Sequence, residues 1–277
     1  MAEDDVTIRI DADFRNLGGG TLGQASSSGI SLNYADARSA LINDGAAYAN
    51  NAILNSLPTN VQYDAPTGVT VNAARLGMTR ANAKALGIVA AHDVASDASI
   101  AFSSAFSFDF DPTDGITAGS FDFVAVAAHE IGHALGFISS VDAIDGGATA
   151  GIVPTTLDLF RFEDGTANDP ATAIDFATFN RSLTPGVVAE FDDGTNEWLF
   201  STGVASGDGR QASHWKDGLG IGLMDPTLAP GELGAISAAD IRAFDLIGWD
   251  LIAVPEPSTF ALFTLGLGIV SCRRRRP

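Results

Sequence analysis

The sequence predicts an α+β fold, with a mixed twisted sheet and a long helix in its first half and a loop-rich second half that ends in a helix. Three observations predict this class. Residues 6–14 alternate apolar and polar side chains, which is typical of a half-buried strand. Residues 34–57 are alanine-rich and carry apolar residues at helical spacing. Residues 137–213 contain only short strand-like runs separated by turns.

The first elements follow in order from the same patterns. The strand at 6–14 is followed by a flexible loop at 18–29, which is rich in glycine and serine. The helix over 34–57 is expected to end before the proline that follows it. A further strand is predicted over 68–76, and a short helix over 80–87, where the last glycine ends it.

An extended segment, either one strand or a pair of strands, is predicted over residues 99–111. Its large apolar residues fall on one parity, which gives an extended chain one buried face. They are Ile100, Phe102, Phe106, Phe108 and Phe110.

A helix is predicted next, around residues 124–137, which read VAVAAHEIGHALGF. Ser120 is the expected N-cap, and Asp122 suits the positive first turn of the helix. Gly136 is expected to end the helix in a left-handed conformation.

The second half has two recognisable features. Residues 188–200 are typical of two short strands around a turn at Asp193–Gly194. The last helix is predicted to begin with a capping-box-like pair, Ser237 and Asp240, and to stop at Gly248.

Composition limits the functions that the chain can have. The 277 residues include 15 Lys and Arg against 34 Asp and Glu, a net charge of −19, which disfavours binding to nucleic acid and to anionic membranes. The one cysteine, Cys272, lies near the C-terminus, so the rest of the chain holds no disulfide and no thiol ligand. We expect an N-terminal subdomain at 1–136, a C-terminal subdomain at 137–253 and a separate tail at 254–277.

The tail, VPEPSTFALFTLGLGIVSCRRRRP, has three parts: a Pro-Glu-Pro break, an apolar stretch and four arginines. This order resembles the PEP-CTERM sorting signal of Gram-negative bacteria. The resemblance implies an exosortase-type processing enzyme as a partner and a cell-surface or secreted location. It also implies a transient membrane contact through residues 259–272, which are fewer than the roughly 20 apolar residues of a spanning helix.

The polar residues of the 124–137 helix predict a metal centre. His129 and His133 lie four positions apart, so a helix points both imidazoles to one side, as in the zinc-binding H-E-x-x-H pattern. Zinc can lower the pKa of a bound water to about 7, and Glu130 can then act as general base. Apolar neighbours should bury this triplet, which is costly for polar groups without partners. These neighbours are Val124, Val126, Ile131 and Leu135.

A catalytic zinc needs a third protein ligand and an open position. The metzincin pattern H-E-x-x-H-x-x-G-x-x-H is kept as far as Gly136, but a serine stands where its third histidine belongs. His214 is the best replacement, and Met224 follows it in a Gly-Leu-Met-Asp-Pro turn. This order resembles leishmanolysin-type metzincins and the PEP-CTERM-associated bacterial zincin-like metalloproteases. By that resemblance, Met224 forms the hydrophobic floor under the metal.

Other residues compete with His214 for the third position. Asp169 fits the Gly-Thr-x-x-Asp pattern of aspzincins, and gluzincins use a downstream glutamate, here Glu163, Glu190 or Glu197. The remaining histidine, His92, is expected to be structural.

The resemblance implies a metzincin-like catalytic domain and an exported zinc-dependent endopeptidase that hydrolyses protein or peptide substrates through a zinc-activated water. The substrate is expected to pair antiparallel with a strand edge within residues 99–111. One alternative is a non-catalytic zinc-containing protein of the cell surface or extracellular matrix. A carbohydrate-binding module, suggested by scattered tryptophans that we expect to be exposed, is another.

A second cation is a further candidate. Asp109, Asp111 and Asp114 are closely spaced before a glycine, and oxygen ligands in a tight loop suit Ca²⁺. The competing interpretation is a turn whose aspartates are solvated or cap the next segment.

Overall fold

The computed structural model describes residues 5–46 and 49–250. These residues contain six α-helices and twelve short strands, joined by loops. The strands are β1 (Ile10–Arg15), β2 (Gly23–Ser27), β3 (Gly29–Asn33), β4 (Tyr63–Asp64), β5 (Arg75–Thr79), β6 (Ala98–Ser103), β7 (Phe108–Asp109), β8 (Phe121–Asp122), β9 (Arg161–Glu163), β10 (Arg181–Ser182), β11 (Ala189–Asp192) and β12 (Glu197–Leu199). The α-helices are α1 (Tyr34–Gly45), α2 (Arg80–Ala85), α3 (Phe123–Leu135), α4 (Val141–Asp145), α5 (Ala173–Thr178) and α6 (Ala238–Leu246). Single 3₁₀ turns or short 3₁₀ helices occupy Ala49–Ser56, Pro112–Asp114 and Leu157–Phe160. The predicted α+β class is therefore confirmed, as small sheets with few helices.

The sheet that carries the candidate site has three strands in the order β1-β6-β2. Strand β6 lies in the middle, parallel to β1 and antiparallel to β2. Helix α3 packs on this sheet, because Val126 shares a buried cluster with Ile100 and Phe102 of β6. Strand β6, within the predicted edge segment 99–111, is paired on both sides and offers no free edge, and the outer strand next to α3 is β2.

A second three-stranded sheet, β12-β11-β9, is antiparallel throughout. It contains the predicted hairpin around Asp193–Gly194, where Asp192 pairs with Glu197. Gly194 has a φ of 82°, a left-handed conformation that glycine adopts at little cost. The remaining pairs are β3 with β5, β4 with β10 and β7 with β8.

The largest buried cluster joins both halves of the chain. Leu41 and Leu76 from the first half pack in the same cluster as Phe160, Trp215 and Leu246 from the second. The two predicted subdomains therefore share this core.

Several predicted elements differ in the structure. Residues 23–27 form β2 within the expected loop, because pairing with β6 outweighs the weak strand preference of glycine and serine. The long helix ends at Gly45, and a 3₁₀ segment follows at Ala49–Ser56. Of the strand expected over 68–76, only the last two residues belong to a strand, β5, which runs over Arg75–Thr79.

Helix boundaries agree better with prediction. Helix α2 ends just before Gly87, which has a φ of 66°, and Gly136 caps α3 with a φ of 125°. The expected N-cap Ser120 is wrong, since Asp122 holds that position and accepts a hydrogen bond from the Ala125 amide at 3.0 Å.

Candidate metal centre

Helix α3 presents His129 and His133 on one face, one turn apart, and their Nε2 atoms are 3.1 Å from each other. The third histidine, His214, comes from the loop after β12. Its Nε2 lies 3.1 Å from the Nε2 atoms of both other rings. His214 is only 7% exposed, so it is not the solvent-exposed loop residue that the sequence alone would also allow. The structure therefore brings these three predicted residues together.

Each of the three rings is oriented by a backbone carbonyl at its other nitrogen. The Nδ1 atoms lie 2.8 Å from the Leu223 oxygen for His129 and 2.7 Å from the Phe137 oxygen for His133. For His214 the Gln211 oxygen is 3.2 Å away. A carbonyl only accepts, so each neutral ring carries its proton on Nδ1 and turns the lone pair of Nε2 toward the other two rings. Three converging lone pairs repel one another unless a cation lies among them.

The spacing of the nitrogens fits a zinc ion. With zinc–nitrogen bonds of 2.0–2.1 Å and tetrahedral angles, ligand nitrogens lie about 3.3 Å apart, close to the 3.1 Å seen here. Burial lowers the pKa of all three rings and, together with the neighbouring His129, lowers that of His133 to about 3. The rings are therefore held in the neutral form that binds metal.

Glu130 lies outside the triangle of the three histidine Nε2 atoms and packs against β2. A Cβ atom on Gly23 would lie 2.6 Å from its Oε1, so this strand position leaves room for the carboxylate only as glycine. Burial raises the pKa of Glu130 to about 7, although a hydrogen bond from the Ala25 backbone works in the opposite direction. A carboxyl group with this pKa can both take up and release a proton near neutral pH.

His129, Glu130 and His133 are buried mainly by tertiary contacts. Val126 is buried as expected, but Val124 and Ile131 are 49% and 38% exposed, so the apolar flanks do not enclose the site by themselves. Met224, 1% exposed, lies beneath α3, and its sulfur would be 2.5 Å from a Cβ on Gly132. Because Gly132 has no side chain, Met224 can approach α3 closely between His129 and His133.

Asp240 is the residue of this region whose importance the sequence did not reveal. It was expected only to cap the last helix, and the capping box with Ser237 is present. The same buried carboxylate also accepts hydrogen bonds from the amides of Leu223 and Met224 and from the Trp215 indole. Asp240 thus connects the loop that carries His214 to the loop that carries Leu223, whose carbonyl oxygen lies next to His129. Only its spacing from Ser237 is visible in the sequence, and that signal points to a cap.

The rival third ligands do not join the histidines. Asp169 and Glu190 form a separate acidic group with Asp164, and this group and the three histidines are the sets of candidate ligands found among the described residues. His92 lies on the surface, with its Nδ1 3.0 Å from the Thr7 hydroxyl.

The three aspartates of the predicted calcium loop, Asp109, Asp111 and Asp114, do not appear as such a set within the described ranges. Asp109 accepts from the Thr117 amide at 2.8 Å, and Asp111 accepts from the Thr113 amide at 3.1 Å. Their calcium role stays a prediction.

The tryptophans do not form an exposed platform. Trp215 is fully buried, and Trp198 and Trp249 are partly buried against the main core, so the expectation of exposed tryptophans is wrong. This removes the structural support for carbohydrate binding through these side chains.

Comparison with known proteins gives one match. Residues 253–276 match the PEP-CTERM protein-sorting motif, which confirms the predicted sorting tail and indicates export and surface sorting in Gram-negative bacteria, with processing by an exosortase-type enzyme. This segment, including the predicted membrane contact at 259–272, lies outside the described residues. In the described ranges, no helix combines the length and apolar character needed to cross a membrane. No curated protein and no solved structure is significantly similar to the chain.

Proposed function

We propose that the protein is an exported zinc-dependent endopeptidase of the metzincin type, with a leishmanolysin-like arrangement of its third ligand. One observation carries the proposal: three imidazole Nε2 atoms lie 3.1 Å from one another, with a buried glutamate beside them. His129, His133 and His214 would hold the metal, and Met224 would support it from below. Three protein ligands leave one position for a solvent molecule, as a catalytic zinc requires.

When bound, zinc would polarise the attacking water and the substrate carbonyl. Glu130 would accept the proton of that water and later donate it to the leaving amine, and its pKa of about 7 supports both roles. The protein positions this carboxylate through Gly23, which leaves space for it, and through the Ala25 amide.

The substrate would pair with the outer strand of the sheet. Strand β2 bonds only to β6 among the described residues, so its other edge can accept an extended peptide. Because Gly23 and Ala25 of β2 both contact Glu130, a peptide on this edge would bring its carbonyl groups close to the general base.

Glu130→Gln tests the proposal. The wild-type protein, loaded with zinc, should hydrolyse casein, and the variant should lose at least about 100-fold in rate, since general-base catalysis contributes roughly 10²–10⁴-fold. Zinc content measured by mass spectrometry should remain near one per chain in both. Glu232→Gln is the matched control, because Glu232 is exposed and should leave the rate unchanged.

Two results would count against the proposal. Full activity in Glu130→Gln would remove the general base from the mechanism. Zinc binding by a wild-type protein that cleaves no protein substrate would favour a non-catalytic zinc-containing surface protein instead.

A further inference from the structure

A second group of converging ligand atoms lies at the end of the β12-β11-β9 sheet. Asp164 directly follows β9, Asp169 follows in the same turn, and Glu190 belongs to β11. One carboxylate oxygen of each lies within 4.8 Å of the others. All three ligand atoms are carboxylate oxygens, and none of these residues is assigned to the zinc centre.

Glu190 is the unusual member of this group. It is only 2% exposed, and its Oε1 has no hydrogen-bond partner among the described residues. A buried carboxyl oxygen without a partner is costly, and such groups are normally hydrogen-bonded or coordinate a metal. Within the turn, Asp169 accepts a hydrogen bond from the Gly165 amide through Oδ2 at 2.9 Å.

The surroundings add negative charge. Asp192, on the same face of β11 as Glu190, is 1% exposed, and its Oδ2 also lacks a partner in the described structure. Glu197 lies opposite Asp192 on β12. Burial, followed by the charges of Asp169 and Glu197 and by a side-chain hydrogen bond with Asp169, raises the pKa of Glu190 to about 9. Without a cation, Glu190 is therefore protonated at neutral pH, and a bound cation would favour its ionised form.

No described lysine or arginine forms an ion pair with these carboxylates. Arg181 interacts electrostatically with Asp192, but its guanidinium donates hydrogen bonds to the carbonyl oxygens of Leu159 and Phe179. It also stacks on the rings of Phe162 and Phe176. Arg181 therefore does not supply the missing partner of Glu190.

We propose that Asp164, Asp169 and Glu190 bind a calcium ion that stabilises this sheet. Calcium prefers carboxylate and carbonyl oxygens at 2.3–2.6 Å, so two ligand oxygens on opposite sides of the ion lie up to about 5 Å apart. Separations below 4.8 Å are compatible with that geometry, and a set of three carboxylates suits calcium, which takes six to eight oxygen ligands. Magnesium usually keeps several waters and binds through one or two carboxylates, and zinc in protein sites favours nitrogen and sulfur ligands. The site is independent of the proposed zinc chemistry.

Calcium titration of the zinc-loaded protein tests the inference, by calorimetry and by thermal unfolding in millimolar CaCl₂. The wild type should bind one Ca²⁺ and unfold at a higher temperature with it. Glu190→Gln should bind calcium at least about tenfold more weakly and lose the calcium-dependent rise. Without calcium, this variant should be about as stable as the wild type at neutral pH, because a neutral amide replaces a carboxyl group whose pKa of about 9 keeps it protonated.

Two further variants complete the experiment. Asp164→Asn, at the least buried member of the group, should also weaken calcium binding and serves if Glu190→Gln does not fold. Asp114→Asn, at an exposed aspartate of the other acidic loop, is the matched comparison and should leave calcium affinity at the proposed site unchanged. The inference is overturned if the wild type binds no calcium, if the Glu190 and Asp164 variants keep its affinity, or if only Asp114→Asn loses it. Equal destabilisation of Glu190→Gln with and without calcium would also overturn it.

Discussion

Asp240→Asn should weaken both the fold and the metal centre. The carboxylate is 1% exposed and accepts four hydrogen bonds. Oδ1 accepts from the Met224 amide at 3.1 Å and from the Trp215 indole at 2.8 Å. Oδ2 accepts from the Leu223 amide at 2.6 Å and from the Ser237 amide at 2.7 Å. The variant changes one oxygen to an NH₂ group and leaves the size of the side chain unchanged.

The magnitude follows from these contacts. Whichever way the amide of Asn is turned, its NH₂ group faces two N–H donors, and two buried donors lose their acceptor. At about 1–3 kcal/mol for each, the free energy of unfolding should fall by roughly 2–6 kcal/mol. For a chain of this size, each kcal/mol lowers the Tm by about 2–4 °C, so a fall of roughly 10 °C is expected. Zinc affinity should fall about 10–100-fold, because Leu223 orients His129 and Trp215 adjoins His214.

The assay combines thermal unfolding with competition for zinc by a chelator. Asp36→Asn is the matched control: Asp36 also lies in the first turn of a helix, α1, but is exposed. It should change neither Tm nor zinc affinity appreciably. If Asp240→Asn unfolds at the temperature of the control, the hydrogen-bond reasoning is wrong. If it is destabilised but binds zinc as tightly as the wild type, Asp240 does not position the ligands.

Two further predictions concern the general base and the second sheet. Gly23→Ala would place its Cβ 2.6 Å from Oε1 of Glu130, so casein hydrolysis should fall by about 100-fold while zinc content is kept; undiminished hydrolysis would show that the carboxylate is not held by β2. Burial alone would raise the pKa of Asp193, but hydrogen bonds from Arg242 and from the turn outweigh it and lower the pKa. Its stabilising effect is therefore complete above the unfolded pKa of about 3.9 and is lost as the pH falls through the lower folded value. In urea at pH 7, Asp193→Asn should reduce the free energy of unfolding by roughly 1.5–3 kcal/mol, and this difference should shrink below about pH 4; a difference that is independent of pH would exclude the ionised pair with Arg242 as its cause.

The elements that could be predicted are those with local causes. The helix of the metal centre, its glycine end and the capping box of α6 depend on residues within a few positions of one another. The hairpin at Asp193–Gly194 likewise follows from a short turn between two apolar runs. The misplaced elements have distant causes: β2 exists because residues 98–102 pair with it.

The same division applies to the candidate site. The position of His129, Glu130 and His133 on one helix follows from their spacing. Their surroundings do not: the carbonyl that orients His129 belongs to Leu223, 94 positions further along the chain. Gly23, which makes room for Glu130, looks like an ordinary loop glycine until β2 is seen to pack against α3.

The sequence by itself determined an α+β chain with a sorting tail, a helix that turns two histidines to one side and a glutamate beside them. These features depend on spacing along one element or on a short contiguous motif, which the order of residues fully specifies. Only the tertiary structure decided which distant side chain completes the triangle of imidazoles, which strand forms the outer edge, and which carboxylates gather around Glu190. Such contacts depend on how separate elements pack, since the free energy that holds them comes from burial and hydrogen bonds between residues far apart in the chain.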